Sequence, residues 1–365
     1  MTERMLVKGC HAVGMGAAHA GCDAFFGYPI TPQNEVIEWF AREFPARGKV
    51  FVQTPSETSA IMMVYGGAAT GARVMTSTAG PGWALMQEGM SHLAGAELPA
   101  VIVNTQRGGP GQGTVRHAQM DYTCVTRSGG NGGYKNIVLA PASVQELHDQ
   151  MQLAFHLADK YRNPVVVLSD GIIGLIWETI VSEKLDLGPP PEKEWAVKGR
   201  NHHADPGMRR FPHSAVAAGK IVEGYPTFLS LMEKADKKYK EMERTEVRYD
   251  TYLADDADLV LVSYGYSSRV CKEAINRVRK DGLKVGLVRP ITLWPFPYEP
   301  IREKAKAGCK ILVVEDNLGQ MIDDVKFAVP DGTQVHLLGI LSRHVPDDGG
   351  MLLPGAVVNE IRRIL

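Results

Sequence analysis

Short apolar runs alternating with helix-length segments set the plan of this chain. In its first half the runs fall at 24–27, 51–53, 74–77, 100–104, 137–139 and 165–169, and segments of helical length lie between them at 32–44, 57–70, 83–94 and 144–161. Runs that are apolar throughout suit strands with both faces covered, and helices between successive strands complete the pattern of a doubly wound parallel sheet. From Ser182 the texture changes. LGPPPEKEW cannot continue a helix through its three prolines, NHHADPG and RRFPH follow, and the charged run to Asp250 can form a helix over 232–248 with a solvated face. Residues 182–251 therefore read as a connector that includes a helix. Alternation resumes with LVLVSYG, KVGLVRP, KILVVED and QVHLLGI, which predicts a smaller α/β domain over 252–365 after a first domain over 1–181.

Composition narrows the function classes. The chain has 365 residues, enough for about two domains, and its 44% hydrophobic and 22% charged residues suit a folded enzyme rather than a disordered or fibrous protein. Lysine plus arginine (40) balances aspartate plus glutamate (41), so no global field favours nucleic acid or an anionic membrane. No charge-free run reaches the roughly 18 apolar residues of a membrane span. Glu3, Arg4 and Lys8 interrupt the segment where a signal peptide needs an apolar core, so the expected compartment is the cytoplasm. The five cysteines are odd in number and include no C-x-x-C pair, which leaves no visible disulfide framework and no zinc or iron-sulfur ligand set. An electron-transfer centre must then come from another chain. His202, His203, Asp205 and His213 lie in the proline-broken connector without helical spacing and read as solvated side chains, not metal ligands.

The candidate chemistry sits where strands hand over to helices. Tyr28-Pro29-Ile30-Thr31-Pro32 closes one strand, with Thr31 suited to cap the next helix or to face a ligand. Glu57 opens an apolar helix after VFVQT, where it suits the helix dipole or serves as a proton partner to a ligand nitrogen. Gly80-Pro81-Gly82 follows a third strand; its backbone can approach a ligand closely, or it is simply a tight turn. Arg107 leaves the fourth strand into a loop in which five of the next six residues are glycine or proline, and a guanidinium fixed there can grip a carboxylate. Each signal alone has an ordinary structural explanation. Together they form one rim.

At this rim the sequence closely resembles a known family. GYPITPQNE, FVQTPSETSA, MTSTAGPGWALMQEG, ELPAVIVNTQRGGPGQG and LAPASVQELHDQMQLAFHLADKYRNPVVVLSDG resemble the α-type subunit of the 2-oxoacid:ferredoxin oxidoreductases over essentially the whole chain, most like the 2-oxoisovalerate type, with the 2-oxoglutarate type close behind. The resemblance implies a thiamine diphosphate pyrimidine-binding domain followed by a transketolase-C-terminal-like domain. It also implies an activity, the coenzyme-A-dependent oxidative decarboxylation of a 2-oxoacid. In that family Glu57 matches the glutamate that hydrogen-bonds the cofactor's aminopyrimidine, Thr31 a residue lining the substrate site, and Arg107 the arginine that holds the 2-oxoacid carboxylate. Tyr28, Pro29, Ile30, Gly80 and Pro81 fall in the same cofactor-binding segments.

The expected partners are a β-type subunit holding the diphosphate and Mg²⁺, a γ-type subunit, a ferredoxin-like subunit carrying the iron-sulfur clusters, and ferredoxin itself. The nearest approach to a diphosphate motif here, Ser169-Asp170-Gly171 with Asn201, lacks the first glycine and is broken by Pro189–Pro191. A distal substrate carboxylate would need a second cation, for which Arg116, His117 or a partner residue is available; a branched tail needs an apolar wall instead. Two other readings use the same fold. One is a non-catalytic assembly subunit, against which Thr31, Glu57 and Arg107 argue; the other is a nicotinamide dehydrogenase, which lacks its dinucleotide fingerprint.

Overall fold

The computed structural model describes residues 4–197, 227–343 and 350–365. The elements run β1 (Arg4–Lys8), α1 (Gly9–His19), β2 (Ala24–Gly27), α2 (Asn34–Ala46), β3 (Val50–Gln53), α3 (Glu57–Ala69), β4 (Val74–Thr78), α4 (Gly80–Gly95), β5 (Ala100–Gln106), α5 (Tyr122–Thr126), β6 (Ile137–Leu139), α6 (Val144–Tyr161), β7 (Pro164–Asp170), α7 (Gly171–Leu175) and β8 (Trp177–Val181). After the charged segment come α8 (Phe228–Thr245), β9 (Tyr249–Tyr252), β10 (Leu259–Val262), α9 (Gly265–Lys280), β11 (Val285–Pro290), β12 (Thr292–Trp294), α10 (Tyr298–Lys306), β13 (Lys310–Val314), α11 (Met321–Ala328), β14 (Val335–Leu338) and α12 (Pro354–Ile364).

The apolar runs became buried strands because a parallel sheet covered by crossover helices leaves neither face for water. The larger sheet has seven strands in the order β12-β6-β7-β5-β4-β2-β3, all parallel except β12, and every residue of β4, β5 and β7 is buried. Chain direction across the sheet reverses at β2: the chain moves outward to β3, then returns to place β4 on the other side. A reversal of this kind opens a crevice at the carboxyl ends of the two strands, here β2 and β4. The second sheet, β14-β13-β10-β11-β9, repeats the device with its reversal at β10, between β11 and β13.

Several local expectations need correction. The helix after β2 begins at Asn34 rather than Pro32, and Thr31 is not its cap. Gln33 prevents the earlier start: its side chain is buried, donates to the Tyr28 carbonyl at 3.3 Å and accepts the Ser77 hydroxyl at 2.6 Å. Gly80-Pro81-Gly82 is not a loop ahead of a helix but the first turn of α4. The charged helix starts earlier, with the Thr227 hydroxyl capping the Ser230 N–H at 3.1 Å, and stops at Glu246. There the carboxylate turns inward to Lys160 (2.7 Å) and Arg248 (2.8 Å). The antiparallel pairing of β1 with β8, and the crossing of β12 into the larger sheet, were not anticipated. His202, His203, Asp205, His213 and Asn201 lie outside the described residues.

The two sheets meet at their carboxyl ends through a buried polar network. Gln119, fully buried, donates to Asp170 Oδ1 (3.2 Å) and the Tyr264 carbonyl (3.1 Å), while its oxygen accepts the Ser267 hydroxyl (2.8 Å) and the Asp316 N–H (3.1 Å). Its own N–H donates to the Asp316 carbonyl, and its carbonyl accepts the Asn317 amide, both at 2.8 Å. Gln119 thus fills the crevice of the second sheet. Asp170 also accepts the Tyr266 N–H at 2.6 Å, and a Cβ on Gly265 (φ +56°) would lie 2.1 Å from Asp170 Oδ2. Burial pushes the Asp170 carboxyl up to about 7; the Tyr266 N–H and the Gln119 amide pull against that rise, and Asp316 adds to it.

Gln119→Ala removes the side-chain partner of the Tyr264 carbonyl, the Ser267 hydroxyl and the Asp316 N–H, a cost of about 2 kcal/mol or more. Amide exchange at Asp316 is expected to rise roughly 30-fold, with central β5 amides much less affected. The folded state holds the Asp170 proton more tightly than the unfolded chain does. Its contribution is therefore full below the ordinary carboxylate range and is lost as pH rises through about 7. After correction for intrinsic exchange, protection at the sheet contact should be weaker at about pH 8 than at about pH 6, and Asp170→Asn should flatten that slope.

Candidate active site

Four strand exits converge at the crevice beside β2 and β4. Glu57 is the first residue of α3, whose N-terminus is fixed by Ser56 accepting the Ser59 N–H at 3.2 Å. Glu57 is 6% exposed, and its carboxylate makes no hydrogen bond or ion pair among the described residues. It lies against the first turn of α4, where a Cβ on Gly82 would fall 2.1 Å from Thr78 Oγ1 and 2.7 Å from Glu57 Oε1. Only glycine permits that approach, and it brings the starts of α3 and α4 together over the end of β4.

Arg107, at the exit of β5, is 5% exposed. Its guanidinium donates to the main-chain carbonyls of Thr31 (2.7 Å) and Gln112 (3.0 Å), and its aliphatic Cγ lies 3.5 Å from where a Gly80 Cβ would stand. Among the described residues it has no ion pair, and its Nε is buried without a partner. Two of its five N–H groups are engaged, which leaves three for an anion. The glycine-rich loop is pinned rather than loose: the Gly108 N–H donates to the Arg116 carbonyl (3.0 Å), and the Gly108 carbonyl accepts the Thr114 N–H (2.9 Å).

The sequence-predicted residues are therefore placed as follows. Thr31, Gly80 and Arg107 form one contact group, Glu57 lies with Gly82 and Thr78 one helical turn away, and Pro81 bridges them within α4. Thr31 joins through its backbone, leaving its side chain exposed, while Tyr28, Pro29 and Ile30 lead into the turn. Their tie to the rim runs through Gln33, whose N–H donates to the Ile30 carbonyl at 3.0 Å.

Gln33, Ser77, Thr78 and Asn104 stand inside the motifs read from the sequence but were given no role there, and Asp121 was not singled out. The signal available was polarity at the ends of otherwise apolar strands, in MTST and VIVNTQ. Thr78 Oγ1, Asn104 Oδ1, Arg107 Nε and His117 Nδ1 are all buried without partners and cluster at this end of the sheet. A Cβ on Gly171 would stand 3.0 Å from His117 Nδ1 and 3.3 Å from Pro32 Cγ, which sets the imidazole beside the Thr31 turn. Burial lowers the His117 pKa despite the field of Asp316, so the ring is neutral at neutral pH. Asp121 accepts the Asn104 amide at 3.0 Å and faces the Gly80 N–H; burial pushes it up to about 6 against these groups and the Arg107 charge.

A buried glutamate without a protein partner, a buried guanidinium with spare donors and a helix start meet at this switch-point crevice, where open α/β sheets bind their ligands. The comparisons identify the class. Residues 15–250 match the family model for pyruvate flavodoxin/ferredoxin oxidoreductase, thiamine diphosphate-binding, and residues 257–348 match pyruvate:ferredoxin oxidoreductase core domain II. The chain belongs to this 2-oxoacid oxidoreductase family.

Among its relatives, it is 49% identical to ketoisovalerate oxidoreductase subunit VorB of Methanothermobacter marburgensis, over 88% of this chain and 89% of that protein. It is 36% identical to 2-oxoglutarate synthase subunit KorA of the same organism, over 99% of both. A solved 2-oxoglutarate:ferredoxin oxidoreductase from Magnetococcus marinus, with 2-oxoglutarate, coenzyme A and succinyl-CoA bound, superposes with a TM-score of 0.83 at 28% identity. That superposition covers 99% of this chain and 65% of the solved one.

Gly82→Ala forces Thr78 and Glu57 aside. The expected result is a folded protein, destabilised by about 1–3 kcal/mol, that binds thiamine diphosphate markedly more weakly; isothermal titration of the assembled protein measures the second effect.

Proposed function

We propose that this chain is the pyrimidine-holding subunit of a thiamine-diphosphate-dependent, coenzyme-A-acylating 2-oxoacid:ferredoxin oxidoreductase. The observation that carries the reading is the Glu57 carboxylate, buried and free of protein partners where the starts of α3 and α4 meet. The cofactor fits this end of the sheet: Glu57, packed on Gly82 at the start of α4, offers an acceptor to an aminopyrimidine. When bound, thiamine diphosphate supplies the nucleophilic carbon and the electron sink for decarboxylation. Glu57 holds and exchanges a proton at the pyrimidine nitrogen. Arg107 holds the 2-oxoacid carboxylate with its spare N–H groups, and the exposed Thr31 hydroxyl lines the same mouth.

A 2-oxoacid with a branched aliphatic tail, 2-oxoisovalerate, is the favoured substrate. A distal carboxylate needs a second cation, which the neutral His117 does not provide and which would fall to Arg116 or a partner residue. The higher identity to the VorB subunit supports the same choice over 2-oxoglutarate, which remains the second candidate. The missing parts belong to partner chains: a β-type subunit with the diphosphate and Mg²⁺ site, a γ-type subunit, and a ferredoxin-like subunit whose iron-sulfur clusters pass electrons to ferredoxin.

The test is an anoxic assay of coenzyme-A-dependent viologen reduction by the assembled complex with pyruvate, 2-oxoisovalerate, 2-oxoglutarate and aryl 2-oxoacids. 2-Oxoisovalerate should give the highest kcat/KM. Glu57→Gln should lower turnover by roughly 100-fold or more with the assembly intact; full activity in that variant would falsify the assignment. Arg107→Ala should cost about 2–3 kcal/mol in kcat/KM, mostly in KM, and unchanged kinetics would remove it from the site. A purified complex that contains no thiamine diphosphate would instead favour a non-catalytic assembly subunit.

A further inference from the structure

Asp121 has no part in the mechanism above, yet it lies among the groups that build the site. Asp121 is 8% exposed, and its carboxylate accepts the Asn104 amide from β5 and faces the Gly80 N–H in the first turn of α4. Its N–H donates to Gln106 Oε1 at 3.3 Å, and its carbonyl accepts the Cys124 thiol at 3.1 Å. Asp121 therefore clasps the exits of β4 and β5, the two strands whose loops carry Gly80 and Arg107. It does not form an ion pair with Arg107, although the arginine charge reaches it. A buried guanidinium is thus offset by a carboxylate at a distance, which leaves its spare N–H groups unoccupied.

We propose that Asp121 is a positioning residue for 2-oxoacid capture: it locks the Gly80 turn to the Arg107 loop and offsets the Arg107 charge until the substrate carboxylate arrives. The proposal rests on Arg107 as the carboxylate-binding residue. Its consequence follows from charge. A bound 2-oxoacid adds a second anion near Asp121, and two like charges in a buried site cannot both be retained cheaply, so binding favours the protonated acid. Burial has already raised Asp121 to about 6, so the proton is available just below neutral pH. 2-Oxoacid affinity should then increase as pH falls through about 6.

Asp170, joined to Asp121 through Gln106, is pushed up to about 7 and lies in the same window, so Asp170→Asn is the control and should keep the slope. Arg107 stays charged, while burial raises the Cys124 thiol and the Tyr264 hydroxyl far above that window. His117 is the one neighbour on the same loop whose protonation could mimic the effect, since burial lowers its pKa from the usual histidine value.

Asp121→Asn is a mild replacement. The new oxygen still faces the Gly80 N–H, and a flip of Asn104 turns its unpartnered Oδ1 toward the new amide. The experiment measures KM and kcat for 2-oxoisovalerate in the assembled complex across about pH 5.5–8, with coenzyme A saturating. In the unsubstituted complex KM should fall several-fold toward the acid end. Asp121→Asn should give a KM that is low and flat, with the change larger in KM than in kcat, and His117→Asn should keep the slope. A slope that survives Asp121→Asn, or vanishes with His117→Asn or Asp170→Asn, overturns the proposal; the second comparison stands even if Asp121→Asn does not assemble. Arg107→Ala separates the two readings, because an unchanged KM there defeats the carboxylate-binding role itself. A large rise in KM with an unaltered Asp121→Asn profile defeats only the positioning role.

Discussion

The carboxyl ends of two parallel sheets face each other in this chain, and every polar group stranded between them must find a partner. A parallel strand ends in carbonyls and N–H groups that its neighbours no longer satisfy, and burying them unpaired costs about 1–3 kcal/mol each. Gln119 answers that constraint for the second sheet by occupying its crevice with six hydrogen bonds. The crevice of the first sheet is handled differently. Glu57, Arg107 Nε, Thr78 Oγ1, Asn104 Oδ1 and His117 Nδ1 are left without protein partners there. One switch point is closed by the chain's own side chain, and the other is not.

The closed crevice and the open one are joined through adjacent residues. Gln106 belongs to the sheet contact, donating to Asp170 at 3.2 Å, and Arg107 is the next residue along. At the far end of the same loop Gln119 closes the second sheet, while Asp121, two residues on, holds Asn104 and faces Gly80. The loop carrying the guanidinium is therefore anchored at both ends in buried polar structure and pinned across its neck by Gly108. Rigid support of this kind is what lets a loop arginine hold a substrate in one orientation. Asp324 ties the sheets a second time, accepting the Tyr122 and Tyr298 hydroxyls and the Arg127 guanidinium within 2.7 Å.

Much of this architecture was legible in the sequence because it rests on local periodicity. Runs such as VVVL and LVLV have few alternatives to buried parallel strands, and the read strand at 137–139 and helix at 144–161 coincide with β6 and α6. The candidate residues Glu57, Thr31 and Arg107 were legible because they stand at strand exits, in segments that resemble the family's motifs. What escaped depends on contacts distant in sequence. Gln33 delays a helix only because Ser77, 44 positions away, needs its amide oxygen, and Asp121 matters only because Asn104 and Gly80 converge on it. The crossing of β12 is set by tertiary pairing with β6, which a three-residue apolar run cannot announce.

The unpartnered groups also argue that the chain is shaped for a larger assembly. A folded protein pairs more than nine-tenths of its buried polar groups, so a cluster of orphans at one edge is a cost retained for a reason. α3 points the same way. Its buried face holds Ala60, Ile61 and Val64, yet its outer face presents Met62 and Met63, 45% and 38% exposed, and α4 beside it adds Leu85 at 54%. A helix apolar on all sides is not at rest against water. Glu57 begins that helix, so the surface left uncovered and the site left unfinished are two ends of one element.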